Sequence, residues 1–279
     1  MPIHDQSYRR YGGRREALGR AWTVIAWSGI RSMIGKRKFL ALLIFAWIPF
    51  IVRAVQIYIA ANFPQASMLA PTTSTFREFI DQQGVFVFFV TIYVGAGLIA
   101  NDRRANALQI YLSKPLMRAE YIAGKLAVLV AFLLLVTWVP GIMLLVLQVA
   151  FAGSFAFLRA NLFLFPALTL AALIQVLLSA FTMLALSSLS NSSRYVAILY
   201  AGAVFFTEAM FGALVAITGS TAVSWVSFSA NVAQLVDVVF RLKPRYETPW
   251  TVSMLVVVAL IALSVSVLER RVRGVEVVT

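Results

Sequence analysis

Apolar and polar positions alternate along the chain on a long scale. Six apolar stretches, at about 39–61, 85–100, 126–150, 162–189, 195–218 and 251–268, are separated by polar connections. A helix needs about 20 mainly apolar residues to cross a hydrocarbon layer about 30 Å thick, because backbone groups cannot be left unpaired in lipid. Each stretch therefore predicts a membrane-spanning helix. The second is short and draws on 82–84, while the third and fourth have length to spare for tilt. Proline interrupts three of them, at Pro49, Pro140 and Pro166.

Two shorter patterns have helical period. Within 17–35, Leu18, Trp22, Ile25, Ala26, Ile30, Met33 and Ile34 fall on one side and Arg20, Ser28, Arg31 and Gly35 on the other. This predicts an N-terminal amphipathic helix, its apolar face in the lipid boundary and its arginines toward headgroups, the alternative being a helix packed on its neighbours. Within 228–241, Val232, Leu235, Val236, Val239 and Phe240 form a stripe that Lys243-Pro244-Arg245 ends. It predicts an outer helical segment between spans 5 and 6, lying on the leaflet or dipping into it.

Composition agrees with the pattern: 61% of the 279 residues are hydrophobic, 13% are charged, and the mean hydropathy is +0.86. Soluble domains carry about 25% charged residues. The expected fold class is an all-α membrane protein with six transmembrane helices. Residues 1–38 form a tail with the interfacial helix, 39–268 the six-helix domain, and 269–279 a second tail.

Charge adds orientation. The chain has 24 Lys and Arg against 11 Asp and Glu, a net +13. On the span map, the tails and the connections after spans 2 and 4 hold eighteen of these cations and six acids, a net +12. The other three connections hold five cations and four acids, a net +1. By the positive-inside rule both termini are cytoplasmic, and the protein is a multi-pass component of the cytoplasmic (inner) membrane. The charge thus reads as topology plus attraction to anionic membrane lipids, and it gives no reason to expect nucleic acid as a partner. The 38 residues before the first apolar run do not have the form of a cleaved signal peptide, and Arg9-Arg10 and Arg14-Arg15 lack the prompt apolar run of a twin-arginine signal.

Catalysis finds little support. There is no Cys, and the single His, at position 4, lies in the polar tail. The predicted spans contain neither the His of a serine-type intramembrane protease nor the paired Asp of an aspartyl type. No HExxH motif occurs, nor the G-x-x-x-x-G-K-[ST] loop that would hold nucleotide phosphates. The expectation is a non-enzyme that binds no cofactor of its own.

The connection 101–125 reads NDRRANALQIYLSKPLMRAEYIAGK. Asn101 or Asp102 can cap a helix in which Leu108, Tyr111 and Leu112 share one side, Pro115 stops it, and a second helix starts near Arg118. The result is a short cytoplasmic hairpin with an apolar ridge, suited to docking a cytoplasmic partner. Asp102, Arg103-Arg104, the run from Leu108 to Leu112, Pro115, Arg118 and Gly124-Lys125 stand in the order found in the permease subunits of ABC-2 type transporters, which this chain resembles. Asn106-Ala107 departs from the Gly-Thr pair common there. The whole plan is similar too: an amphipathic helix before span 1, six spans, and an outer helical segment before span 6.

The resemblance implies a mechanism. A short coupling helix between spans 2 and 3 would sit in a cleft of a separate ABC ATPase subunit, which holds the ATP and Mg. Leu108, Tyr111 and Leu112 would be the apolar foot, with Arg103, Arg104 and Arg118 pairing with acids of the partner. A second permease copy or paralogue would complete a dimer that exports its substrate. The alternative is a scaffold or channel that recruits a cytoplasmic partner without transport.

Two ionisable residues fall inside predicted spans, Arg53 and Glu208, and such residues are functional candidates by default. At about 1.5 Å per residue they lie roughly 21 Å and 20 Å from the starts of their spans. Equal depth permits an Arg53–Glu208 ion pair, within a subunit or across a dimer. The alternative is that Arg53 snorkels outward and Glu208 is protonated or bonded to a hydroxyl.

Overall fold

The structure, a computed structural model, describes residues 20–107, 117–152, 159 and 161–272, without the side chains of Pro64, Ala66 and Ser67. Regular structure among the described residues is helical. Six helices are long and apolar enough to cross a membrane: Arg37–Asn62, Thr73–Arg104, Arg118–Phe151, Leu164–Leu189, Ser193–Thr218 and Trp250–Arg271, spans 1 to 6. This is the architecture of a multi-pass membrane protein.

In chain order, α1 is Ala21–Ile34. Span 1 comprises α2 (Arg37–Ala46) and α3 (Ile48–Asn62); span 2 comprises α4 (Thr73–Val90), a π turn at Thr91–Gly95 and α5 (Ala100–Arg104). Span 3 comprises α6 (Arg118–Val136) and α7 (Trp138–Ala152); span 4 is α8 (Leu164–Leu189) and span 5 is α9 (Ser193–Thr218). A 3-10 turn at Thr221–Val226 leads to α10 (Phe228–Val239), and α11 (Trp250–Arg271) is span 6.

The prolines explain two of the breaks. Pro49 and Pro140 supply no N–H for the carbonyls four residues back, at Phe45 and Val136, and the helices restart at Ile48 and Trp138. Pro166 differs from expectation: it lies in the first turn of α8, where a missing N–H costs nothing, so span 4 is unbroken.

Span 2 is longer than its apolar run predicts, starting at Thr73 instead of near 85. Its polar early turns stay helical because neighbours satisfy them. Arg77 pairs with Asp81 at 3.0 Å, and Gln83 donates to the carbonyl of Ala46 at 3.1 Å. At about 1.5 Å per residue its 32 residues extend to roughly 48 Å, beyond a 30 Å hydrocarbon layer. Thus extended, span 2 contains Asp81 and Asp102, although the predicted spans held no Asp. On one helix they stand roughly 32 Å apart, too far for a catalytic dyad.

Span 4 is the centre of the bundle. Ala167, Ala171, Ala172, Ser179, Ala180, Ser187 and Ser188 line its buried surface, and such small side chains let neighbouring backbones approach. Spans 1 and 5 lie outermost, with 11% of residues buried against 56% in spans 2, 3 and 4. One apolar cluster, around Phe39, Val94, Leu129 and Met183, fills the bundle toward α1. A second, around Ile57, Phe79, Leu168, Val236 and Phe240, fills it toward α10.

The two amphipathic elements are helices, and each packs against the bundle. In α1, Ile25, Ala26, Ile30 and Met33 pack into the first cluster, while Trp22 and Ile34 of the same face stay exposed. Gly124 of α6 allows this, since a Cβ there would come within 2.7 Å of Ile25 Cβ and 3.0 Å of the Trp22 carbonyl. Val24 and Trp27, on the far side, stay 60% and 68% exposed. Similarly, α10 is enclosed by α4, α8, α9 and α11 rather than lying on a surface. Its Asn231 donates to the carbonyls of Trp225 and Ser227, and its Gln234 to those of Tyr246 and Thr248. A helix of twelve residues is too short to span, and α10 with its flanking turns forms a hairpin folded back into one end of the bundle.

Candidate functional site

At the α1 end, the base of connection 101–125 is clamped. Asp102 lies inside α5 and does not cap a helix, as the sequence suggested. Its Oδ2 accepts from Tyr121 Oη at 2.7 Å and pairs with Lys125 Nζ at 2.6 Å, which joins spans 2 and 3. Arg103 turns inward and donates to the carbonyl of Ser188, at the end of span 4. Arg104 and Arg118 are exposed. Asn106 takes φ 52°, a left-handed conformation that glycine favours and asparagine tolerates. On the far side, α6 starts at Arg118 as expected, with Glu120 accepting from the Met117 N–H at 3.2 Å. Leu108, Tyr111, Leu112 and Pro115, and with them the expected coupling helix, lie outside the described residues.

Just inside this base, span 2 leaves α-helical geometry at the π turn, which frees backbone groups. Ser187 of span 4 meets them: its Oγ accepts from the N–H groups of Ile99 and Ala100 at 3.1 and 3.0 Å and donates to the Ala96 carbonyl at 2.9 Å. Gly95 lets span 4 approach, since a Cβ there would come within 2.4 Å of Met183 Cγ. A broken membrane helix persists only where neighbours satisfy the freed groups in this way.

The Arg53–Glu208 pair expected from equal depth does not form within the chain. Arg53 pairs with Glu78 Oε2 at 3.1 Å and donates to Gln56 Oε1 at 3.0 Å. Glu208 Oε2 accepts from the hydroxyls of Ser227, at 2.6 Å, and Ser229. Two features absent from the sequence map explain this. Span 2 starts early enough to bring Glu78 beside Arg53, and α10 folds back so that its first turn meets Glu208.

A charge cluster at the α10 end was not singled out from the sequence. Asp237, 1% exposed, accepts from Arg245 Nε at 2.9 Å, Nη2 at 2.7 Å and the Arg245 N–H at 3.1 Å; Arg77 stands 3.6 Å away. Arg245 Nη2 also reaches Asp81 at 2.9 Å. Hydrogen bonding to Asp237 raises the Arg245 pKa above its ordinary value, burial opposing. Beside it, burial raises the Tyr246 hydroxyl above the usual tyrosine value, Arg245 opposing. A sequence signal existed in Asp237, the lone acid of the helical segment 228–241, beside its apolar stripe, where an acid demands a partner.

Next to this cluster a cleft of about 340 Å³ opens between spans 2, 4 and 5 and α10. Phe88, Tyr200 and Phe228 line it with Gln175, Glu208 and Tyr246. Phe88 stacks on Tyr200 with centroids 5.8 Å apart, and Phe228 meets Tyr200 edge-on at 6.4 Å.

No known protein-family model matches the chain, and no curated protein is similar enough to count as a relative.

Proposed function

We propose that this chain is the permease subunit of an ABC-2 type transporter, working as a dimer with separate ATPase subunits and exporting a substrate across the cytoplasmic membrane. The observation that carries the reading is the clamped base of connection 101–125. A motor that drives helices through a loop needs a stiff link between the two. Here Asp102, Tyr121 and Lys125 tie the emerging loop to spans 2 and 3, and Arg103 and Ser187 tie it to span 4.

The resemblance gains from Asn106, whose left-handed backbone supplies what a glycine would at that place. Gly124 and Lys125 acquire physical roles, the first admitting α1 and the second holding Asp102. Leu108, Tyr111 and Leu112 would form the foot that docks in the ATPase, with the exposed Arg104 and Arg118 at its margins. Both termini and this loop would then be cytoplasmic, as the charge distribution implies.

The test is to purify the chain with its native associates and measure vanadate-sensitive ATP hydrolysis. Co-purifying hydrolysis that falls when Tyr111 and Leu112 are both replaced by Asp supports the reading. Recovery without any ATPase overturns it in favour of a scaffold or channel. Because the chain lacks cysteine, a single thiol introduced at Tyr111 also reports the side of the membrane, and labelling from outside sealed cells contradicts the proposal.

A further inference from the structure

The cleft between spans 2, 4 and 5 and α10 has an unbalanced charge. Of the carboxylates at this end, Asp81 and Asp237 are engaged by Arg245 and Arg77. Glu208, which lines the cleft, meets only hydroxyls of Ser227 and Ser229 and pairs with no Lys or Arg among the described residues. Ser227 is the N-cap of α10, so the Glu208 carboxyl stands at the positive end of that helix with no cation beside it among the described residues.

A second, independent observation lies on the opposite wall. Gln175, 9% exposed, lines the cleft from span 4, and its Oε1 is buried with no hydrogen-bond partner. An unpaired buried acceptor loses hydration with nothing in return unless a donor comes to it. Phe88, Tyr200 and Phe228 add aromatic surface, the preferred surroundings of an organic cation. Valines 85, 204, 232 and 236 add apolar wall, and Arg245, which also lines the cleft, is held there by Asp81 and Asp237.

From these groups we infer that the cleft binds an amphipathic organic cation. Its charged or N–H-bearing head lies beside Glu208 and the aromatic rings, a rotation of the Gln175 side chain brings the buried, unpaired Oε1 out to it, and its apolar body lies along the valines. A volume of about 340 Å³ suits a ligand of drug size or a lipid headgroup with its first carbons. The inference concerns binding, and it stands or falls whether or not an ATPase drives this chain. An amine-bearing lipid and a free cationic solute share this chemistry.

The experiment uses the full chain in nanodiscs of phosphatidylglycerol, with radiolabelled tetraphenylphosphonium as probe and tetraphenylborate as its counterpart of matched shape and opposite charge. Saturable binding of the cation and not of the borate is expected. Glu208→Gln keeps an oxygen for both serine hydroxyls but removes the charge, and should weaken cation binding at least about tenfold. Val204→Trp fills the cleft from span 5 and should abolish saturable binding, which decides the matter if the first variant does not fold. Comparison with the unaltered protein in the same bilayer removes the background of probe dissolved in lipid. Equal binding of borate, or unaltered cation binding in folded Glu208→Gln and Val204→Trp proteins, overturns the proposal. Adding phosphatidylethanolamine to the discs identifies the source: displacement of the probe assigns the cleft to a lipid amine, and undiminished binding assigns it to a solute.

Discussion

Replacing Asp237 by Asn tests whether the α10 hairpin is held to the bundle by charge. The carboxylate accepts three hydrogen bonds from Arg245 while itself 1% exposed, and Arg77 stands 3.6 Å away. Removing one member of a fully buried ion pair costs about 3–5 kcal/mol, chiefly because the other charge is stranded. Two features lower that figure here. The Arg245 side chain is 29% exposed, so solvent screens it, and Asp81 retains a 2.9 Å contact with Nη2. A loss of about 2–4 kcal/mol remains. Reversible unfolding in mixed micelles measures it, and a double-mutant cycle of Asp237→Asn with Arg245→Leu isolates the pair, with a coupling of about 1 kcal/mol or more. An Asp237→Asn protein within about 0.5 kcal/mol of the parent, or strictly additive single losses, would refute the argument that charge anchors α10.

Ser187→Ala strands the N–H groups of Ile99 and Ala100 and the Ala96 carbonyl, so unfolding in the same micelles should become easier by about 2–3 kcal/mol; a change near 0.6 kcal/mol, usual for membrane hydrogen bonds, would mean that the π turn repairs itself. Gly124→Val places branched carbon against Ile25 and Trp22 and should release α1, seen as faster proteolysis after Arg20 or Arg31; unchanged cleavage would contradict the packing. Tyr246 has a raised pKa, so its neutral form stabilises the fold fully below pH about 10 and that contribution fades as pH rises through the higher folded value. Tyr246→Phe should therefore flatten the loss of stability above pH 10, and an unaltered alkaline limb would show that the hydroxyl titrates freely.

The sequence reveals the spans because lipid imposes one requirement that composition records directly: apolar length. It fails where polar residues continue a helix. Arg77, Glu78 and Asp81 read as a solvated connection, but partners on α3, α10 and the 241–249 segment keep them helical, and no local pattern announces partners that distant. The Arg53–Glu208 pair does not form within the chain for the same reason. Depth along a helix fixes height and leaves open which neighbour stands at that height. Asp102, Gly124 and Lys125 were legible as a motif in order, while the Asp102–Lys125 contact and the seat of α1 on Gly124 belong to tertiary structure. Ser187 gave no signal, since one serine among several on span 4 becomes special only opposite a break in span 2.

That break joins the two ends of the molecule. Span 2 carries Asp102 at the clamped base and, beyond the π turn, Gly84 and Phe88 on the wall of the cleft. Span 4 carries Ser187 and Ser188 against the same base and Gln175 against the same cleft. A force on connection 101–125 thus reaches both walls through two helices locked together at Ser187. It reaches the third wall, span 5, where spans 2 and 4 pack on it, Phe88 meeting Tyr200 and Phe205 among these contacts. Spans 2 and 4 would move as one body past span 5, and the cleft would widen or narrow at Glu208, the one lining carboxylate that span 5 carries. A double-electron resonance distance between labels on spans 2 and 4 should stay constant while one between spans 2 and 5 changes on nucleotide binding by a partner. If both distances changed together, the Ser187 lock would be a local repair with no part in transmission.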